Sequence, residues 1–109
     1  MTDAALNMLG LCARAGRLIT GEKAVVQAVR AGGCHAVVLD GAAAGNAEKA
    51  VSQACRTHGV PLVRTGPMRL GDAIGRPGRM AAAITDGRMA ERVIELSQQD
   101  AGGSPAGIT

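Results

Sequence analysis

Not one Phe, Tyr or Trp occurs in the 109 residues of this chain. Aromatic side chains bury about 150–250 Å² each and dominate most cores, so this interior has to be filled in another way. Gly supplies 16 residues and Ala 21. The core must therefore be built from Val, Leu, Ile and Met, with elements drawn together over Ala. The same absence excludes modules that stack bases on aromatic rings, including the aromatic forms of the RRM and the OB-fold. An apolar content of 47% and a mean hydropathy of +0.13 argue against disorder. The length suits one compact domain, expected over residues 1–99.

No apolar run approaches the ~20 residues of a membrane span. The start, Met1-Thr2-Asp3, lacks the basic and apolar regions of a signal peptide, which reads as a cytoplasmic protein. Three cysteines, Cys12, Cys34 and Cys55, stand without a CxxC pair, and only two His accompany them. The expectation is three small reduced core residues, with no metal and no cofactor. Ten of the twelve basic residues are Arg, and the net charge is +3. Arg forks onto phosphates and guanine edges, a mild pointer to nucleic acid that many soluble proteins share.

Helical and strand patterns alternate along the chain. Asp3 is placed to cap a helix over 4–15, with Leu6, Leu9, Cys12 and Ala13 on one stripe and Gly16 as its stop. Leu18-Ile19 reads as a strand, and Thr20-Gly21 opens a helix ending near Gly32. A strand over Ala36–Leu39 follows. Asn46 is expected to cap a third helix ending at His58-Gly59. Val60–Arg64 is the next strand, with Pro61 at its start, and Pro67 suits the first turn of a short helix over 68–74. Met80–Ile84 is a further strand, and Asp86 or Gly87 caps a last helix that turns Met89, Ala90, Val93 and Leu96 inward. Residues 100–109 read as a flexible tail. The pattern predicts an α/β protein, a three-layer α/β/α sandwich around a sheet of four strands.

Familiar chemistries fail in detail. The segment Gly16-Arg-Leu-Ile-Thr-Gly21-Glu22-Lys23 is spaced unlike a P-loop: Glu22 separates glycine from lysine, and no Ser or Thr follows Lys23. Asp40 ends a strand as a phospho-acceptor would, yet lacks further acids to hold Mg²⁺, and reads as a turn aspartate before Gly41. Neither His35 nor His58 has a triad partner that sequence can supply. A catalytic thiol at Cys34 would have His35 on the opposite face of its strand. The chain is read as no enzyme. Gly75-Arg76-Pro77-Gly78 matches the KH-type GXXG loop only formally, because it leads into a strand and not a helix. A more informative group lies at the second helix, where Lys23, Gln27 and Arg30 form one polar stripe at i, i+4 and i+7. Val25, Ala28 and Val29 take the opposite side. Arg14 and Arg17 precede it, and the N–H groups at Thr20-Gly21 offer a phosphate site. The competing reading is an ordinary solvated face.

The run Leu9-Gly-Leu-Cys-Ala-Arg-Ala-Gly-Arg17-Leu-Ile-Thr-Gly21-Glu22, then Gly59-Val-Pro61, then Leu70-Gly71-Asp-Ala73-Ile-Gly75, resembles the L-seven-Ae/L-thirty-e/Gadd-type ribosomal-protein superfamily of kink-turn RNA binders, in its bacterial YlxQ-like branch. The resemblance covers about residues 5–97. It implies an α/β/α sandwich with a mixed four-stranded sheet. It also implies RNA recognition by a Gly-x-Asn-Glu-x-x-Lys segment at the start of the second helix and by a loop after Leu-Gly-x-Ala-x-Gly. Gly21 matches the glycine of that signature. Lys23 stands where Asn is expected, Ala24 where Glu is expected, and Gln27 where Lys is expected. Leu70, Gly71, Ala73 and Gly75 match the second segment, so Ile74 to Arg79 would form the second loop.

The resemblance thus implies a non-enzymatic, ribosomal or ribosome-associated protein, expected as a monomer, that binds structured RNA, ribosomal RNA first, beside translation-machinery proteins. The candidate RNA-binding residues are Arg17, Gly21, Glu22, Lys23, Gln27 and Arg30 on one side and Ile74, Gly75, Arg76 and Arg79 on the other. Which RNA shape is read stays open, because three of four signature positions differ. The alternative is a protein-interaction adaptor on the same scaffold with little specific RNA affinity.

Overall fold

A computed structural model describes the backbone of residues 1–102 and the side chains of residues 1–98. Nine elements alternate: α1 (Asp3–Arg14), β1 (Leu18–Thr20), α2 (Glu22–Arg30), β2 (Ala36–Leu39), α3 (Gly45–His58), β3 (Leu62–Arg64), α4 (Arg69–Ile74), β4 (Ala81–Ile84) and α5 (Gly87–Gly102). The strands form one mixed sheet in the order β1-β4-β2-β3. β4 runs antiparallel to both β1 and β2, while β2 and β3 are parallel. The expected sandwich is the observed one.

Side chains alternate across a strand, and the two central strands serve both helical layers. Val37, Leu39, Ala81 and Ala83 pack with α2 and α3 residues such as Val25, Val29 and Val51. Ala36, Val38, Ala82 and Ile84 pack on the other face with Leu9, Leu70 and Val93 of α1, α4 and α5. Every residue of β2 and β4 is buried, which is why both read as unbroken apolar runs. In β4 three consecutive alanines leave room for the helices to come close, as a core without aromatic rings requires. Cys12, Cys34 and Cys55 are all buried.

Several local expectations change. Thr2, not Asp3, caps α1: its Oγ1 accepts from Ala5 N at 3.3 Å, and Asp3 becomes the acidic first residue. α3 begins at Gly45 behind Ala44, so Asn46 lies inside the helix. Pro61 falls just outside β3, where its carbonyl accepts from Val37 N, a role that needs no N–H of its own. Pro67 precedes the cap of α4, which is Met68 in a left-handed conformation, φ 63°. Asp86 caps α5, its Oδ1 accepting from Met89 N at 2.9 Å. That helix runs to Gly102, into the stretch read as a tail, and residues 103–109 lie outside the described residues. Among the described residues no helix is long and apolar enough to cross a membrane.

Candidate nucleic-acid interface

The pairing of β1 with β4 sets Thr20 opposite Ala82, and Gly21 N donates to Ala81 O at 3.0 Å. The start of α2 is thereby fixed beside the loop that enters β4. Gly21 is the cap of α2 with φ 99°, a region that side chains rarely adopt, and no side chain bonds the helix start. Arg79 lies across it: a Cβ built on Gly21 would stand 2.8 Å from Arg79 Nη1. The two segments named from the sequence thus form one face, with a guanidinium laid over a bare helix start.

α4 shapes the other side. Gly71 is buried, and a Cβ there would meet Arg76 O at 2.8 Å, Gly78 N at 2.9 Å and Pro77 Cα at 3.1 Å. Only glycine allows the 76–78 loop to fold back so closely. Arg76 N donates to Gly71 O at 2.9 Å, and Arg79 N to Arg76 O at 3.2 Å. These bonds hold the backbone of a loop whose side chains, Arg76 and Arg79, are exposed. Arg76 and Thr20 line one small hollow with Gly16, Leu18 and Ile74.

Gly21 and Arg79 are brought together, and Arg76, directly after the α4 cap Gly75, shares a hollow with Thr20; Lys23 is exposed in the first turn of α2 beside the half-buried Glu22, whose charge suits the helix dipole. Lys23, Ala24 and Gln27 are exposed, whereas Val25, Val26, Ala28 and Val29 are buried. Three positions fall elsewhere. Ile74 turns inward, 8% exposed, and packs against the α1–α4–α5 core, leaving it only as the floor of the hollow. Arg17 sits at the opposite end of β1 from Gly21, with its carbonyl accepting from Thr85 N and its charge acting on Asp86. Arg30 closes α2 about 10 Å along the axis from Lys23, in a cleft with His58 and Val60 at the far pole. Among the described residues Lys23, Arg76 and Arg79 have no carboxylate partner, whereas Arg64 pairs with Glu48 at 2.7 Å and Arg92 with Glu95 at 3.0 Å.

Asp40 is the residue that the sequence reading undervalued. It is fully buried, and its two oxygens accept from Ala42 N (2.9 Å), Met68 N (2.7 Å), Leu70 N (2.9 Å) and Thr65 Oγ1 (3.0 Å). Burial pushes its carboxyl upward, but the bonds from Leu70, Ala42, Met68 and Thr65 together outweigh it and hold the group below the ordinary aspartate value. No open oxygen remains for a phosphoryl group or a metal. The available signal was an acid directly closing an all-apolar strand. Three of its four partners, 25–30 residues away, were invisible.

Residues 3–94 match the ribosomal protein L7Ae/L30e/S12e/Gadd45 family. The chain is 32% identical over 90 residues to the RNA-binding protein YlxQ of Bacillus subtilis (strain 168), covering 82% of this chain and 90% of that one. A solved Bacillus halodurans protein of unknown function has the same fold at a TM-score of 0.84 and 32% identity, covering 89% of this chain and 99% of the other. The Giardia lamblia 15.5kD RNA binding protein shares the fold at a TM-score of 0.71 and 20% identity, over 90% of this chain and 91% of that one. With the face between α2 and the Gly75–Arg79 loop built on this sandwich, the chain belongs to the ribosomal protein L7Ae/L30e/S12e/Gadd45 family.

Proposed function

We propose that the chain binds structured RNA, ribosomal RNA first among the candidates, through the face formed by the start of α2 and the Gly75–Arg79 loop. The observation that carries this reading is Arg79 lying over Gly21. It joins Lys23, Arg76 and Arg79, none of them paired with a carboxylate among the described residues, to a helix start without a side-chain cap. Lys23 and the two arginines contact phosphates or guanine edges, and the glycines let backbone approach backbone. Gln27, one turn along α2, is placed to read a base edge. Ala24 offers no acceptor, so the edge facing it is selected by shape and not by a hydrogen bond. The B. subtilis relative's description as an RNA-binding protein supports the same reading.

The test is crosslinking of the purified protein to total cellular RNA, followed by sequencing. The control carries Lys23→Ala, Arg76→Ala and Arg79→Ala. One structured element, enriched with the parent and lost with the triple variant, is the expected result. Equal, flat profiles for the two proteins would overturn the reading.

A further inference from the structure

We infer that Asp40 is the positioning residue of the RNA-engaging loop, a clamp that grips both ends of the segment running from Met68 to Met80. This rests on the functional reading above. At one end, its carboxylate takes Met68 N at 2.7 Å and Leu70 N at 2.9 Å, and so fixes where α4 begins. At the other end, its own N–H donates to Met80 O at 2.8 Å. Between these two grips lie Gly71, against which residues 76–78 fold, and Arg76 and Arg79, the cations of the proposed face. Asp40 itself is fully buried, out of reach of an RNA on the surface. Its influence on RNA passes through α4 and the fold-back at Gly71.

The backbone shows why an acid stands here. Met68 is the one described non-glycine residue with positive φ, a conformation that needs outside support. Its N–H makes the shortest of the four bonds to Asp40. Both carboxylate oxygens face donors only. An asparagine in the same place cannot reproduce this, since its amide nitrogen would face Leu70 N in one orientation and Ala42 N and Met68 N in the other.

The experiment compares the parent with Asp40→Asn, the milder Thr65→Val, which removes a hydroxyl shared between Asp40 Oδ1 and Gly66 O, and Val51→Ala. Val51 is buried on the α2–α3 side of the sheet and serves as a control for stability loss alone. Amide hydrogen exchange is measured by NMR, and affinity for purified ribosomal RNA by filter binding. Asp40→Asn should free the amides of Met68, Leu70, Arg76 and Arg79 selectively and weaken RNA binding by about tenfold. Thr65→Val should do the same to a smaller degree. Val51→Ala should leave both the loop amides and the affinity close to those of the parent. Loop amides as protected as in Val51→Ala, or freed amides with unchanged affinity, would each overturn the proposal. If the parent itself binds no ribosomal RNA, the functional reading fails and with it the RNA role of the clamp. The exchange at Arg76 and Arg79 would still report whether Asp40 holds the loop.

Discussion

Gly21 and Gly71 show how single hydrogens decide this surface. At Gly21 the obstacle to a side chain is the backbone, φ 99°, since the facing Arg79 Nη1 is the far end of a flexible chain and can swing aside. Gly21→Ala should therefore cost about 1 kcal/mol of stability in urea titrations and displace Arg79 from the helix start, lowering RNA affinity more than stability. At Gly71 the obstacle is backbone at 2.8 and 2.9 Å, which cannot swing. Gly71→Ala should cost more, about 1–3 kcal/mol, with its largest chemical-shift changes over residues 75–79. The sequence pattern named both glycines, but the reason at each became visible only with the neighbours in place. Thiol chemistry follows burial in the same way. Burial is the main cause that raises the Cys55 thiol, to about 11, and it raises Cys12 and Cys34 too. Ellman's reagent should react slowly with the native protein at pH 8 and quickly with all three cysteines in denaturant.

At the scale of elements, α2 is an amphipathic helix whose two sides were readable from spacing: Lys23, Gln27 and Arg30 out, Val25, Ala28 and Val29 in. What spacing left open was which end of α2 meets the Gly75–Arg79 loop. The β1–β4 register puts its start against the Gly75–Arg79 loop and sends Arg30 to the opposite pole. Arg76→Ala should therefore reduce the salt dependence of RNA binding by about one unit of log–log slope, whereas Arg30→Ala should leave it unchanged. α4, only six residues long, gains its order from packing and from Asp40. Leu70, wholly buried in its first turn, anchors it to the α1–α5 side. Leu70→Ala should cost about 2–5 kcal/mol.

Over the whole molecule, the buried carboxylate makes stability depend on acid. Asp40 has a lower carboxyl pKa folded than the ordinary value near 3.9 of an unfolded chain, so the unfolded state binds more protons between the two values. Its contribution is complete above the unfolded value and disappears as pH falls through the folded one. Urea midpoints should be flat from about pH 8 to 5 and fall below about pH 4. In Asp40→Asn the midpoint should be lower throughout and the acid fall shallower. Glu48, held low chiefly by the bond from Arg64, and Asp86, held low chiefly by the bond from Met89 N, are half-buried and partly solvated, and they share the direction with less weight.

The sequence by itself determined the alternation of helices and strands and the three-layer class, and its family resemblance named the two segments proposed as the interface. Those depend on periodicity, turn residues and local motifs, all of which operate over a few residues. The tertiary structure decided the strand order β1-β4-β2-β3, the inward turn of Ile74, the distance of Arg17 and Arg30 from the face, and the work of Asp40. Each depends on partners brought together from far along the chain. A carboxylate at the end of an apolar strand looks like any turn aspartate until Thr65, Met68 and Leu70 fold onto it. Burial then makes those donors indispensable, because no water remains to replace them.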